Sequence, residues 1–397
     1  MNIKKKQRVI IAMSGGVDSS VSAVLLQKQG YDVVGVFMKF WSPEKENKSI
    51  CAYNKCCSPE SEKRARKVAQ KLKIPFYVFN FEKEFKKQVV DYFLREYKLG
   101  LTPNPCVVCN KEIKFGLLFK KLLSFDVDFI ATGHYVKKSN IKNQIGTSSS
   151  QARAKLNTKN QKLKEEYKIL KSKDKNKDQS YFLWQLNQKI LEKTLFPIGD
   201  YTKSEVRKLA NKYKLSVSEI PESQEVCFIQ TTTNDFLKKY LKTKIGHIVD
   251  KNKKIIGEHK GLWFYTIGQR KGIELSQGPF YVIGKDFKRN FLIVSKNQKD
   301  LLGKELNAEK INWISSKVPK FPLKAMVKIR YGSKPALAII LKDKDKIKDK
   351  DKIKDNNEIK DNNEIKIKFL KPQKAIASGQ SAVIYKGQQL LGGGVIK

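Results

Sequence analysis

The sequence has no apolar run that approaches the roughly 20 residues needed to cross a bilayer, which argues against a membrane-spanning segment. The first residues, Met1 to Gln7, also lack the apolar core of a signal peptide and the composition of an organelle presequence. We therefore expect a cytoplasmic protein that has no membrane partner. With 397 residues, the chain is long enough for roughly two or three domains.

Acidic residues are scarce relative to basic ones. The 39 aspartates and glutamates face 81 lysines and arginines, which gives a formal net charge of +42. An excess of this size suits a polyanionic partner such as nucleic acid and predicts salt-sensitive binding. Lysine, asparagine and isoleucine are abundant along the whole chain, however, so compositional drift explains the charge equally well and both interpretations stay open.

Histidine and cysteine are also few, with 3 and 6 residues respectively. Without an export signal a framework of disulfides is not expected, which leaves reactive thiols or metal ligands. Cys106 and Cys109 form a C-x-x-C pair, and Cys227 follows far downstream. No fourth ligand is evident beside them, so redox or sulfur-transfer chemistry suits these thiols better than a structural zinc site. The remaining cysteines lie in a polar loop and are interpreted as surface or half-buried thiols: Cys51, Cys56 and Cys57.

A short apolar strand, Arg8 to Met13, runs directly into a Gly-Gly turn and then a helix that opens at Asp18. A second strand, Asp32 to Met38, completes a βαβ unit. The N–H groups at the helix N-terminus, with nearby serine hydroxyls as further donors, predict a site for an anion such as pyrophosphate. The turn lacks the Gly-Lys-Ser/Thr ending of a P-loop and the G-x-G-x-x-G pattern of a dinucleotide site. A plain turn between strand and helix is the alternative.

Strands and helices alternate through about residue 132, which predicts an α/β fold with an open, mostly parallel sheet. We divide the chain into a catalytic domain at 1–232, a small central domain at 233–300 and a C-terminal β-barrel at 301–397. Two segments have the composition of insertions: an irregular polar one at about 137–166 and a low-complexity charged one at about 342–366. No chemistry is expected of the second, and a regulatory or RNA-binding role is its weaker alternative.

Seven motifs follow one another along the chain. In order, they begin at Ser14 (SGGVDS), Asn104 (NPCxxCNKEIKF), Ala131 (ATGHY), Lys177 (KDQSYF), Glu222 (ESxxxCFI), Tyr265 (YTIGQR) and Ser378 (SGQSA). The first resembles the PP-loop of the ATP pyrophosphatase superfamily. The whole set, which spans nearly the entire chain, resembles the MnmA/TrmU family of tRNA-specific 2-thiouridylases.

This resemblance implies ATP-dependent replacement of the C2 oxygen of the wobble uridine in tRNA by sulfur. ATP would activate the oxygen by adenylation and release pyrophosphate, with Mg²⁺ near Asp18. Cys227 would carry the sulfur as a persulfide supplied by a donor protein, and Cys109 would be the nucleophile that frees it. The positions that match the nucleotide site of the family are Ala12, Met13, Ser14, Gly15, Gly16, Val17, Asp18, Ser19, Met38 and Gly133.

Other positions match contacts with the tRNA substrate in the family. They are Asn104, Pro105, Cys106, His134, Lys177, Asp178, Gln179, Arg330, Tyr331 and Gln380. An Arg-Tyr pair offers a phosphate contact and a stacking surface for a splayed base, although a strand tyrosine is often only a packing residue. His134 follows a predicted strand end, where ligands of open α/β sheets gather, although a satisfied loop histidine is the plainer interpretation.

Cys106 departs from the family pattern, in which an aspartate often stands three residues before the nucleophile. A thiol is a poor substitute for that carboxylate, so the acid/base group is left open between Asp18 and water. Alternatively, Cys106, Cys109 and Cys227 hold an Fe–S cluster with one open iron that carries sulfide. Another PP-loop adenylating ligase and a basic tRNA-binding protein without catalysis are the further alternatives.

Overall fold

The computed structural model describes residues 6–42, 58–124, 126–141, 166–220, 226–229, 231–315, 317–342 and 364–397. Of the residues singled out above, Cys51, Cys56, Cys57 and Glu222 lie outside the described residues. The same is true of most of the two predicted insertions, at 142–165 and 343–363.

Strands and helices are numbered in chain order. The strands are β1 (Arg8–Ala12), β2 (Asp32–Lys39), β3 (Phe76–Asn80), β4 (Phe129–Ala131), β5 (Val136–Ile141), β6 (Glu166–Lys171), β7 (Thr194–Leu195), β8 (Gly246–Val249), β9 (Ile255–His259), β10 (Tyr281–Asp286), β11 (Phe291–Ser295), β12 (Leu302–Trp313), β13 (Leu323–Lys328), β14 (Ala336–Lys342), β15 (Ile365–Lys374), β16 (Ser381–Lys386) and β17 (Gln389–Ile396). The helices are α1 (Val17–Lys28), α2 (Pro59–Leu72), α3 (Glu82–Phe85), α4 (Asp91–Lys98), α5 (Pro105–Val108), α6 (Leu118–Ser124), α7 (Gln188–Glu192), α8 (Lys203–Lys212) and α9 (Thr233–Tyr240). π-helical turns at Lys86–Val90 and Cys109–Leu117 join α3 to α4 and α5 to α6.

The first sheet is parallel, in the strand order β3-β2-β1-β4-β7. β1 lies at its centre because its apolar side chains are buried on both faces: Ile10 packs into one apolar cluster and Ile11 into another. The first of these clusters includes Phe85 of α3, and the second includes Val21 of α1. β1 and β4 are neighbours, so the turns after their carboxyl ends meet at one edge of the sheet. The predicted α/β fold with an open parallel sheet is confirmed.

Strands β12 to β17 form an antiparallel barrel in the order β12-β15-β14-β13-β16-β17, which is closed by pairing between β12 and β17. Its interior is a separate apolar cluster that contains Ile340, Ile367 and Ile384. β14 and β15 are paired up to Lys342 opposite Ile365, so the low-complexity insertion connects two neighbouring strands. The predicted C-terminal barrel is confirmed.

The hairpin of β5 and β6 extends the barrel sheet, because Ile169 and Leu170 of β6 pair with Leu390 and Gln389 of β17. The sequence predicts irregular structure from residue 137 to about 166, which is wrong for residues 137–141 because they belong to β5, whereas the predicted end of the segment agrees with the start of β6. The polar composition was misleading because an antiparallel strand can expose one face to water and still pair along its edges.

The central segment forms a small mixed sheet in the order β10-β11-β8-β9, as expected for a separate module. Val282, Leu292 and Ile248 are fully buried and form part of its core. Within the described ranges, no helix is both long and apolar enough to cross a membrane.

Candidate active site

The turn between β1 and α1 is held both from within and by α2. The amide of Ser14 donates to Oγ of Ser19 (3.2 Å), and Nε of Arg64 donates to the carbonyl of Gly15 (3.2 Å). Gly15 has a φ of +72°, and a Cβ at this position would lie 2.2 Å from the carbonyl oxygen of Ser61. Both the backbone conformation and the approach of α2 therefore require glycine here.

Helix α1 begins after Gly16 without a side-chain cap, so the N–H groups of Val17 and Asp18 and the positive end of the helix dipole face the turn. The hydroxyls of Ser19 and Ser20 both donate to the carbonyl of Gly16, at 3.2 and 2.9 Å. The sequence predicts these hydroxyls as donors to an anion, whereas the structure uses them to hold the turn. The backbone N–H groups are therefore the donors best placed for an anion.

Asp18 is part of an ion pair that no local sequence pattern identifies. Its carboxylate oxygens lie 2.7 and 2.9 Å from Nζ of Lys203, the first residue of α8, and the hydroxyl of Tyr135 donates to Oδ1 at 2.7 Å. Lys203 and Asp18 are 185 residues apart in the chain. The only local signal is the capping box of Thr202 and Glu205, which predicts a helix start but not what the helix faces.

The turn after β4 closes the other side of this region. A Cβ on Gly133 would lie 2.8 Å from the amide nitrogen of Ser19 and 2.9 Å from the carbonyl carbon of Asp18, so the two turns are in backbone contact. Met13 and Met38 are buried at the ends of β1 and β2. The structure thus brings the predicted nucleotide residues together at one edge of the sheet, and their contact with a nucleotide stays a prediction.

His134 is buried beside this turn, with Nδ1 2.8 Å from Oγ1 of Thr132. Burial and, secondarily, the charge of Lys114 lower the pKa of His134 well below 6.5. The imidazole is therefore neutral at neutral pH. His134 is thus a buried histidine with a hydrogen-bond partner inside the protein. Contact between His134 and tRNA stays a prediction.

Asn104 and Pro105 start the helix that carries the C-x-x-C pair. Oδ1 of Asn104 accepts a hydrogen bond from the amide of Val107 (3.4 Å), and Pro105 occupies the first helical position, where a missing N–H costs nothing. Cys106 lies half-buried in the first turn, and Cys109 lies buried one turn later. The local sequence thus determines where the helix that carries the two thiols begins.

Cys227 packs against the same apolar cluster that contains Cys109. The residue after it, Phe228, is fully buried, and its ring packs edge-to-face on Phe85 and Phe93 with centroid distances of 5.9 and 5.3 Å. These rings anchor the short segment 226–229 against α3 and α4. The segment that starts at Cys109 also contacts α3, so this helix links the predicted nucleophile to the segment of the predicted sulfur carrier.

Among the described residues, no three or more cysteine, histidine, aspartate and glutamate side chains gather as metal ligands would. Cys106, Cys109 and Cys227 in particular do not form such a group. The Fe–S cluster considered above stays an untested alternative, and we derive no step through it.

The Lys177–Gln179 motif is largely engaged within the protein. Asp178 is buried and accepts a hydrogen bond from the hydroxyl of Ser180 at 2.8 Å. Oε1 of Gln179 accepts from the amide of Tyr135 at 3.0 Å, which ties this motif to the turn that follows β4. Contact of these side chains with tRNA stays a prediction.

The other residues predicted to contact tRNA lie on the barrel. Arg330 donates to the backbone at the end of β15 (2.8 Å), and the ring of Tyr331 lies over that of Phe182 with a centroid distance of 4.5 Å. Tyr331 stays 38% exposed, so part of its ring is available for stacking. The side-chain amide of Gln380 donates to the carbonyl of Thr102 at 3.0 Å. Each of these residues thus has an internal partner, and its contact with tRNA stays a prediction.

Three family models together match nearly the whole chain. The model described as "tRNA methyl transferase HUP domain" matches residues 7–231. Those described as "tRNA methyl transferase PRC-barrel domain" and "Aminomethyltransferase beta-barrel domain" match residues 234–296 and 303–396. The first alone spans more than half of the chain.

Curated relatives match over their full length. "tRNA-specific 2-thiouridylase MnmA 2" of Clostridium tetani is 41% identical, with 100% of both chains covered. "tRNA-specific 2-thiouridylase MnmA" of Carboxydothermus hydrogenoformans is 40% identical, with 100% of this chain and 99% of the relative covered. The protein of the same name in Clostridioides difficile is 41% identical, with 98% of both covered. The resemblance carried by the seven motifs is confirmed, and the chain belongs to the family of tRNA-specific 2-thiouridylases.

Proposed function

We propose that the chain is a tRNA-uridine 2-sulfurtransferase, an enzyme that uses ATP to replace the C2 oxygen of a wobble uridine in tRNA by sulfur. The observation that carries this proposal is the placement of Cys109 and Cys227 around α3: the helical segment that starts at Cys109 contacts this helix, and the ring of Phe228, next to Cys227, packs on its Phe85. The names of the relatives support tRNA as the substrate. The net charge of +42 suits such a polyanion.

The residues at the carboxyl edge of the first sheet suit ATP. The uncapped N-terminus of α1 and the ammonium of Lys203 would hold the phosphates, and the turn that contains Gly133 packs closely against the backbone of α1 beside them. Mg²⁺ held beside Asp18 would offset the charge of the pyrophosphate as it leaves. This chain's own part is to orient the α phosphorus toward the uridine.

The chemistry then needs a leaving group and a sulfur nucleophile. The C2 oxygen attacks the α phosphorus of ATP, a C2–O–P bond forms and pyrophosphate leaves. The terminal sulfur of a Cys227 persulfide bonds to C2. The thiolate of Cys109 attacks the inner sulfur of Cys227, the S–S bond to the delivered atom breaks, its electron pair forms C2=S, and AMP leaves with the pair of the C2–O bond. The resulting disulfide between Cys109 and Cys227 is reduced by a thiol reductant before the next turnover.

Several expectations from the sequence belong to this proposal. They are the division into domains at 1–232, 233–300 and 301–397, the cytoplasmic location and the persulfide donor protein. The division is supported by the three sheets, each of which lies mainly within one of these ranges, although the β5–β6 hairpin extends the barrel sheet.

The decisive experiment is nucleoside mass analysis of unmodified tRNA after anaerobic incubation with the protein, Mg-ATP and a persulfide donor. We expect 2-thiouridine from the wild type only when ATP is present. Cys109→Ser and Cys227→Ser should form none, whereas Cys51→Ser, a matched change outside the proposed pair, should behave like the wild type. Activity in protein shown to be free of iron would remove the Fe–S alternative.

The opposite outcomes identify the alternatives. If no 2-thiouridine forms even after iron–sulfur reconstitution, the thiolation proposal is refuted. ATP cleavage to AMP and pyrophosphate with another acceptor would then indicate another PP-loop ligase. Binding of tRNA without any ATP turnover would indicate a binding protein.

A further inference from the structure

The segment that precedes the cysteine helix is bonded to the C-terminal barrel. The side-chain amide of Gln380 donates to the carbonyl oxygens of Thr102 (3.0 Å) and Pro103 (3.3 Å). The amide N–H of Thr102 in turn donates to the carbonyl of Ser378 at 2.8 Å. These hydrogen bonds join two segments that are far apart in the sequence, directly before the helix that begins at Pro105.

The close approach of the two segments requires glycine at position 379. Gly379 has a φ of +89°, and a Cβ there would lie 2.9 Å from the amide nitrogen of Thr102 and 3.0 Å from Cβ of Leu101. Any other residue would be strained by the backbone conformation and would also push the Thr102 segment away. The glycine of the Ser-Gly-Gln sequence thus allows this tight backbone contact.

The barrel side of this contact is firmly anchored. The amide of Gly379 donates to the carbonyl of Ile396, and the amide of Ile396 donates to the carbonyl of Gln380, both at 2.8 Å. The next residue, Ser381, accepts a hydrogen bond at Oγ from the indole of Trp184, which is fully buried (3.1 Å). The backbone of Gln380 is therefore held on both sides, and its side chain extends from a rigid platform.

We propose that Gln380 is a positioning residue: from the barrel it fixes the Thr102–Pro103 backbone and thereby the orientation in which the following helix presents Cys106 and Cys109. This inference rests on the proposed function for its chemical consequence, but the contact itself needs no RNA. It adds an internal role to the predicted contact of Gln380 with tRNA. A displaced backbone at 102–103 would carry the start of the helix, and both thiols, with it.

The test uses two changes at Gln380 and the same changes at a matched position. Gln380→Glu removes both N–H donors and places a carboxylate against two carbonyls, whereas Gln380→Met removes the donors without adding charge. Gln373 is the matched position, because its amide also donates to two carbonyls, those of Lys371 and Pro372, but within its own strand β15. Gln373→Glu and Gln373→Met therefore repeat the changes in charge and shape on the same barrel.

The first readout is the rate at which iodoacetamide labels each cysteine of the full-length protein, without tRNA and without ATP. We expect both Gln380 variants to label Cys109 about five- to tenfold faster than the wild type, because the lost hydrogen bonds held its helix in place. Labelling of Cys227 should stay unchanged, and both Gln373 variants should behave like the wild type. In thiolation assays of the Gln380 variants, kcat should fall below that of the Gln373 controls, in addition to any rise in KM for tRNA from the loss of the predicted tRNA contact.

Wild-type labelling of Cys109 in both Gln380 variants, together with a raised KM for tRNA, would overturn the proposal and leave Gln380 as a tRNA contact alone. An equal rise for Cys109 and Cys227, with a lower Tm, would overturn it as well, because it would reflect a general loosening of the fold. The labelling needs neither substrate. A wild type that forms no 2-thiouridine would therefore refute the proposed function without altering this result.

Discussion

Lys203 holds Asp18 by both carboxylate oxygens, with Nζ to Oδ1 and Nζ to Oδ2 distances of 2.7 and 2.9 Å. Asp18 stands in the first turn of α1, where phosphates are predicted to bind, and a carboxylate there would by itself repel them. The ammonium offsets that charge. Because the side chain of Lys203 is only 11% exposed, solvent screens this ion pair only in part. Lys203 therefore helps to set the electrostatic potential of the predicted nucleotide site.

Replacing Lys203 by methionine is expected to impair the use of ATP. Lys203→Met keeps the apolar stem but removes the positive charge, so bound Mg²⁺ alone would have to offset the charges of Asp18 and the phosphates. We expect tRNA-dependent pyrophosphate release to fall about a hundredfold, as for the loss of one preorganised group that stabilises developing charge. Lys208→Met is the matched control, because Lys208 is exposed on the same helix. Equal pyrophosphate release from Lys203→Met and the wild type would contradict this role.

Adding one methyl group to Gly133 is expected to disturb the same site through packing. In Gly133→Ala the new Cβ would lie 2.8 Å from the amide nitrogen of Ser19, and backbone cannot give way as a flexible side chain can. We expect a loss of about 1–3 kcal/mol in the free energy of unfolding and a smaller rise in Tm on addition of Mg-ATP. Urea unfolding and thermal scans measure these. Gly332→Ala is the control, because nothing lies within 4 Å of its Cβ position. Equal stability and equal Mg-ATP response of Gly133→Ala and Gly332→Ala would contradict a tight turn at Gly133.

The turn after β1 and the start of the helix at Pro105 could be predicted because their signals are local. A buried strand, a glycine pair and a helix in direct succession specify the turn after β1. Asn104 and Pro105 likewise specify a helix start through groups that lie within three residues of each other. In both cases a short window of sequence contains the whole interaction.

The observed partners of Lys203 and Gln380 could not be predicted because they are distant in the chain. Lys203 meets Asp18 across 185 residues, and Gln380 meets Thr102 across 278. Nothing in the sequence states which of 81 basic residues faces a given carboxylate, since that choice follows from the packing of whole elements. The pairing of β5 with β6, and of β6 with β17, has the same origin, which is why the polar composition of residues 137–141 does not reveal their strand.

Glu205 stabilises the start of α8, and with it the position of Lys203, in a pH-dependent way. A hydrogen bond from Lys173, followed by those from the backbone and hydroxyl of Thr202, lowers the pKa of Glu205 from 4.5 to about 2. Because the folded-state pKa lies below the ordinary value, the stabilisation is complete above about pH 4.5 and is lost as the pH falls toward 2.

Urea unfolding of the wild type and Glu205→Gln should show this dependence. We expect the wild type to have a higher free energy of unfolding than Glu205→Gln at about pH 7. This difference should shrink steadily as the pH is lowered to about 3. Glu258→Gln changes an exposed glutamate of β9 and serves as the control. A difference between wild type and Glu205→Gln that stays constant over this range would contradict the assignment.

His134 is expected to make the fold less stable in mild acid. Burial and, after it, the charge of Lys114 hold its folded-state pKa well below 6.5, so only the unfolded chain takes up a proton as the pH falls through 6.5. The free energy of unfolding should therefore drop by up to about 1.4 kcal/mol per pH unit below that value, and His134→Asn should remove this component. Urea unfolding between about pH 7.5 and 5.5 measures the slope. The control is His247→Asn, at an exposed position on β8, which should keep the wild-type slope of stability against pH. If His134→Asn also keeps that slope, another group is responsible for it.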